Sequence, residues 1–424
     1  MTLTKKGYKT RIIDEKITDL LRVFGAVSIE GPRWCGKTWT SLNHANSAVF
    51  LTDPADGGRA RDIAEYSPSM ILTGDEPIAI DEWQETPSIW DAVRHEVDSS
   101  ERKGRFLLTG SVTAPFAEVM HSGIGRIARV RMSPMTLYES GMSSGTVSLA
   151  DMFDDAAIEP HVAEMRVDAL IDAVCAGGWP ANITLSRKDA AKTARYYVDS
   201  LSDSEIRAPG SKITKPAMFA NLIRAIARSN ATVVSNKTLQ DDVMAGDETF
   251  NKETLSSYLD YLKSLFVLTE IPGWHPRFLS KTRLRSSPKR MFVDPSLAAA
   301  ALGLDKNAML RDPATLGRMF ECLCLRDLLV YADAIDGKLY HYRDNSGLEV
   351  DAIIELRDGR WGAFEIKLNS KHTPDAARTL LTLAKKMTQR NVAPPSFLAV
   401  VTGGGIVRKR DDGVYIAPIN CLKP

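Results

Sequence analysis

The eight residues Gly31-Pro32-Arg33-Trp34-Cys35-Gly36-Lys37-Thr38 constrain this chain more than any others. They fit the pattern GxxxxGK[ST]. Glycines at both ends let successive backbone N–H groups turn inward around an anion. An apolar run, Ala26–Glu30, precedes the loop and a helix-like segment follows it. The positive end of that helix dipole faces the same point. Strand, loop and helix in this order predict a turn that cradles the phosphates of a nucleoside triphosphate such as ATP. Lys37 would reach the β- and γ-phosphates, and the Thr38 hydroxyl would bind Mg²⁺.

Two further segments belong with this loop. Pro77-Ile-Ala-Ile-Asp81-Glu82 is an apolar strand ending in two acids. At the carboxyl end of a parallel strand, Asp81 is expected to hold Mg²⁺ through water, and Glu82 to orient or deprotonate the attacking water. Leu107-Leu-Thr109-Gly-Ser111 ends another strand, so Thr109 or Ser111 is a candidate contact to the γ-phosphate. Arg126, Arg129 and Arg131 are weaker candidates for an arginine finger. Apolar runs at 26–30, 48–52, 77–81, 106–109 and 127–132 alternate with helix-length segments. That alternation predicts an α/β domain with a parallel sheet covered on both faces.

Composition excludes several classes. Lys and Arg (54) nearly cancel Asp and Glu (53), so any surface for nucleic acid must be local. The five cysteines are scattered with no CxxC pair, which argues against a disulfide framework or a zinc site. No run of eighteen apolar residues occurs, and Met1–Lys16 has no apolar leader segment. A cytoplasmic protein without a membrane span is expected.

Beyond the first 140 residues, 141–212 reads as a helical lid or linker. Residues 213–290 carry helix-like segments at 217–229, 238–244 and 252–266, then an extended one. This is the outline of a winged helix. The stretch His275–Arg290 adds Arg277, Lys281, Arg283, Arg285, Lys289 and Arg290 without an acid. Residues 250–290 are therefore the candidate DNA contact, through phosphates.

Residues 291–424 read as a second α/β domain, and its central hairpin can be placed in register from the pattern alone. In Glu349–Leu356 one face is Val350, Ala352, Ile354 and Leu356; in Trp361–Leu368 one face is Phe364, Ile366 and Leu368. Aligning these faces sets Val350 opposite Ile366 and hence Asp351 opposite Glu365, with Lys367 on the same polar face. This requires an odd-numbered loop, and Arg357-Asp358-Gly359 suits a three-residue turn with glycine in the left-handed position. Two carboxylates can hold Mg²⁺ or Mn²⁺, and a lysine beside them can orient water or stabilise a developing phosphate charge.

GPRWCGKT, IAIDEWQ, GRFLLTGS and GRIARVRMSP together resemble the AAA+-type ATPases of prokaryotes that carry an uncharacterised carboxyl-terminal domain. The stretches Arg290-Met-Phe-Val-Asp-Pro-Ser-Leu and Leu316-Gly-Arg-Met-Phe-Glu321 resemble that tail. The resemblance implies an ASCE-type sheet, Asp81 on Mg²⁺, Glu82 as catalytic base and Thr109–Ser111 as the sensor region. Trp34, Cys35 and Trp39 depart from the family's usual residues, which bears on nucleotide preference and turnover. The hairpin resembles the PD-(D/E)XK nuclease core, with Asp351, Glu365 and Lys367 on its motif and Glu321 matching that fold's frequent additional acid; no proline precedes Asp351. Three functions follow as expectations: an ATPase coupled to a nucleic-acid-directed tail, a low-turnover nucleotide switch, or an ATP-regulated metal-dependent DNase. Homo-oligomerisation is left open.

Overall fold

In the computed structural model the described residues are 3–56, 58–111, 122–207, 213–244, 250–276 and 287–424. Arg277, Lys281, Arg283 and Arg285 of the basic stretch lie outside them. The chain divides into two compact units: Met1–Pro134 with Ser264–Phe266, and Met135–Lys263 with Val267–Pro424.

The first unit holds α1 (Ile13–Val23), β1 (Ala26–Glu30), α2 (Lys37–Asn43), β2 (Ser47–Phe50), α3 (Arg59–Tyr66), β3 (Ile78–Asp81), α4 (Ser88–Asp98), β4 (Phe106–Gly110) and β5 (Ile127–Arg131). The strands form one sheet in the order β2-β3-β4-β1-β5, and every pair is parallel. Period-two alternation sorts its side chains into two cores. Ile78, Ile80, Phe106 and Leu108 face Trp90 and Val93 of α4, while Val27, Ile29, Ala79 and Leu107 pack with Ile17 of α1 and Leu42 of α2. Apolar residues on both faces explain why these strands read as continuous hydrophobic runs. The sheet brings the carboxyl ends of β1, β3 and β4 to one edge, with β4 inserted between the other two.

The second unit begins with β6 (Val147–Ser148), α5 (Leu149–Phe153), β7 (His161–Ala163), α6 (Val167–Ala176) and α7 (Arg187–Arg207). There follow α8 (Pro216–Arg228), β8 (Thr232–Val233), α9 (Asn236–Val243), α10 (Lys252–Ser264), β9 (Leu268–Ile271) and β10 (Lys289–Phe292). These last three strands make an antiparallel sheet in the order β8-β10-β9. The remaining elements are α11 (Pro295–Ala301), α12 (Lys306–Arg311), α13 (Pro313–Ala334), β11 (Gly337–Arg343), β12 (Glu349–Leu356), β13 (Trp361–Lys367), α14 (Thr373–Gln389), β14 (Phe397–Thr402), β15 (Gly405–Lys409), β16 (Tyr415–Pro418) and β17 (Leu422–Lys423). A seven-stranded sheet runs β11-β12-β13-β14-β16-β15-β7.

The segment 141–212 is thus woven into the second unit. Its strand β7 pairs antiparallel with β15 and covers an otherwise open edge of the large sheet. Its strand β6 pairs with β17. Such short strands leave no period long enough to read from sequence. Among the described residues no helix is long and apolar enough to cross a membrane.

One buried cation organises this unit. The Arg326 side chain on α13 is 2% exposed and pairs with Asp294 and Asp327, each fully buried. Asp294 also accepts from Gly178 N–H and caps α11 through the Ser296 N–H. Asp327 accepts from Leu137 N–H at 2.9 Å. Removing the guanidinium strands two buried carboxylates, so Arg326→Met is expected to destabilise the protein by about 3–5 kcal/mol. Urea denaturation followed by tryptophan fluorescence would measure this, and a loss below about 1 kcal/mol would contradict the role given to the triad.

Candidate functional site

The loop between β1 and α2 is held from behind. Gly31 packs so closely on Met132 that an added Cβ would lie 2.3 Å from its carbonyl oxygen. Gly36 adopts φ +100° at the start of α2, a conformation that costs other residues free energy. Trp34 is also left-handed, at φ +67°, and stands 55% exposed, while Cys35 is buried in the core beneath. Arg11 donates to the Cys35 carbonyl at 2.8 Å and to the Ser133 carbonyl at 2.8 Å, fixing the loop from the N-terminal segment. Nothing in its sequence neighbourhood marks Arg11. The Lys37 ammonium donates to the carbonyls of Gly31 and Pro32 at 3.0 and 2.9 Å. Pro32 and Arg33 complete the turn.

Opposite the loop, Asp81 Oδ1 accepts from the Thr38 hydroxyl at 2.8 Å and from the Thr109 hydroxyl at 2.6 Å. Burial raises the Asp81 pKa, and those two hydroxyl donors only partly offset it. Glu82 takes a left-handed backbone, φ +55°. Its N–H donates to Thr109 Oγ1 at 3.1 Å. Its carboxylate accepts from the Ser111 hydroxyl at 2.8 Å and from the Gln84 amide. A strained backbone of this kind, held by surrounding donors, is a common property of reactive positions. Thr38, Asp81, Glu82, Thr109 and Ser111 therefore lie together. Gln84 joins them and went unread, although it stands two residues beyond Glu82.

The arginine-finger candidates are engaged inside their own unit. Arg126 pairs with Asp98 at 2.7 Å. Arg129 lies 3.7 Å from Glu30 and stacks over the Trp90 ring. Arg131 stacks over Phe266.

In the second unit β12 and β13 pair with Ala352 opposite Phe364 and Glu355 opposite Trp361. The turn is the three-residue Arg357-Asp358-Gly359, with Gly359 at φ +87°. Asp351 and Glu365 consequently share a face with Lys367. Lys367 Nζ lies 2.6 Å from Glu365 Oε2 and 3.4 Å from Asp351 Oδ2, and Ile366 N–H donates to Asp351 Oδ2 at 2.9 Å. Glu321 reaches the cluster from α13, but through Lys289: Lys289 Nζ lies 2.5 Å from Glu321 Oε1 and 3.6 Å from Asp351 Oδ1.

Lys289 and Arg290 thus depart from the expected basic, DNA-facing stretch. Both are buried on β10. Arg290 is spent on Glu270 at 2.8 Å. The run of basic residues in sequence does not show that its last two members begin a strand on which their side chains meet Glu321, Asp351 and Glu270.

Burial pushes Glu365 up to about 8, with the nearby Asp351 charge adding to it and Lys367 opposing. Glu321 is pushed up to about 7 for the same reasons, against Lys289. Burial also acts on Asp351, but the Lys289 and Lys367 charges outweigh it and hold its pKa below the ordinary value. A carboxyl whose folded pKa is raised binds a proton that the unfolded chain has released, so this contribution to stability falls as pH rises through the interval between the two values. The urea midpoint is accordingly expected to drop between pH 5 and pH 8, and Glu365→Gln to flatten that slope. An unchanged slope in the variant would remove Glu365 as its source.

Residues 24–140 match a family described as an AAA domain. Residues 167–308 and 316–422 match two domains of unknown function, DUF8612 and DUF4143. An uncharacterized protein of Mycobacterium bovis is 28% identical over 364 residues, covering 84% of this chain and 72% of its own length. An uncharacterized protein of Mycobacterium tuberculosis has the same figures. Among solved structures, the Walker-type ATPase of Pyrococcus abyssi is 12% identical, with a TM-score of 0.46 over 71% of this chain and 97% of that one. The Orc1 protein of Aeropyrum pernix in complex with DNA is 12% identical, with a TM-score of 0.27 over 73% and 94%. The N-terminal region of this chain is thus similar to an AAA domain.

Proposed function

We propose that the first unit binds ATP with Mg²⁺ and hydrolyses it. The observation that carries this reading is the convergence on one Asp81 oxygen of Thr38 from the phosphate loop and Thr109 from β4. Three strand ends thereby meet where a terminal phosphate would lie. The Thr38 hydroxyl and the Asp81 carboxylate are hard oxygen donors 2.8 Å apart, the donor chemistry that Mg²⁺ prefers. When bound, Mg²⁺ neutralises phosphate charge and orients the β- and γ-phosphates. Lys37 leaves its carbonyl partners to meet those phosphates, and the loop N–H groups of Gly31–Thr38 wrap them. Glu82, aimed by Ser111 and Gln84, accepts the proton of the attacking water. Thr109 couples the state of Asp81 to the Glu82 backbone.

Glu82→Gln tests the assignment. A general base supplies about 10²–10⁴-fold in rate, so phosphate release should fall at least a hundredfold while ATP affinity, read with a fluorescent analogue, stays within a few fold. Equal release by the variant would sink the hydrolytic mechanism and leave a low-turnover nucleotide switch.

The second unit is read as two modules. The order α8, β8, α9, α10, β9, β10, with the sheet β8-β10-β9, supports a winged helix. The order α13, β11, β12, β13, α14, β14 supports a nuclease-like core. DNA is the proposed partner, through residues 250–290 other than Lys289 and Arg290, and through the C-terminal module. Arg283→Glu with Arg285→Glu is expected to weaken duplex DNA binding at least tenfold at low salt and to flatten its salt dependence. Unaltered affinity in a filter-binding or anisotropy titration would exclude this stretch of sequence.

A further inference from the structure

The nuclease-like reading of the C-terminal module implies a divalent cation among Glu321, Asp351 and Glu365. The side chains do not fit one. Each carboxylate is already met by an ammonium group: Glu321 by Lys289 at 2.5 Å, Glu365 by Lys367 at 2.6 Å, and Asp351 by both, at 3.6 and 3.4 Å. Lys289 Nζ also lies 3.3 Å from the Asp351 backbone carbonyl. It therefore sits among carboxylate and carbonyl oxygens, the set a hard cation would need. Among the described residues no group of three or more His, Cys, Asp or Glu side chains is gathered to hold a metal ion.

We infer that Lys289 is a built-in cation that takes the metal's place in this module, so that the module holds no catalytic divalent ion and does not cleave nucleic acid. The inference rests on the nuclease-like reading of this module.

Charge and position both argue for it. Three carboxylates against two ammonium groups leave at most one net negative charge. A divalent ion added to that set would leave a buried net positive charge, which its removal from water opposes. The Lys289 side chain is only 8% exposed, so an entering ion would have to expel it from the pocket. The lysine comes from β10, which is hydrogen-bonded to β8 and β9, whereas the acids come from α13, β12 and β13. The ion cluster therefore ties the three-stranded sheet to the large sheet and to α13. Beside it, burial and the Lys289 charge depress the His341 pKa to about 4, so that imidazole adds no charge at neutral pH. This leaves the C-terminal module a binding element whose carboxylates serve as an intramolecular ion lock.

The test is Mn²⁺ titration of the full-length chain without nucleotide, followed by electron paramagnetic resonance, comparing wild type, Asp351→Asn, Lys289→Met and the double variant. Any Mn²⁺ at the phosphate loop is common to all four, so only the Asp351-dependent signal is read. The expected result is no Asp351-dependent site in wild type, and one in Lys289→Met that is lost in the double variant. An Asp351-dependent site in wild type would overturn the inference while sparing the nuclease-like reading. A folded Lys289→Met that gains no site would overturn both. Should Lys289→Met fail to fold, wild type against Asp351→Asn decides. None of these outcomes depends on ATP hydrolysis, which is measured separately.

Discussion

A guanidinium enclosed by protein must be paired on every side, and in the second unit that requirement falls on Arg326. Its two carboxylate partners reach outward to the amides of Leu137 and Gly178 and to the start of α11. Segments about 190 and 116 residues apart in sequence are thereby pinned to one helix. Pairing of this kind adds little net free energy compared with an apolar core of the same shape, but breaking one partner is costly. The triad therefore acts as a specification of which segments meet, and the surrounding apolar packing supplies the drive.

The same rule governs both clusters of chemistry-bearing residues, with different results. In the first unit Asp81 is half-buried and receives neutral hydroxyl donors, from Thr38 and Thr109, which bring no compensating charge. In the second unit the carboxylates are buried against ammonium groups and their charge is already consumed. Two acid-rich sites of similar appearance in sequence thus differ in charge balance, because one is met by hydroxyls and the other by lysines.

The phosphate loop, the acid pair and the hairpin register were legible in the sequence because each rests on local periodicity or on a short motif whose geometry is nearly fixed by backbone chemistry. Matching the apolar faces of β12 and β13 left one odd-length turn, and Gly359 occupies its left-handed position as that register requires. Lys289 was misread for the opposite reason. It stands near the end of a run of basic residues, and only the approach of α13 and β12 to β10 places it among acids. Arg11 was invisible because its partners are carbonyl groups, which no side-chain pattern reports. The edge strand β7 was invisible because three residues carry too short a period to detect.

The sequence by itself determined the parallel α/β pattern of the N-terminal unit, the segments whose residues Thr38, Asp81, Glu82, Thr109 and Ser111 meet there, and the face on which Asp351, Glu365 and Lys367 stand. These follow from contacts within a few residues or across one hairpin. The tertiary structure alone decided how β4 intervenes between the loop strand and the acid strand, how residues 141–212 are absorbed into the second unit, and which cation answers the C-terminal carboxylates. Those outcomes depend on long-range pairing of buried charges and sheet edges, and a buried charge takes whichever partner the fold delivers to it.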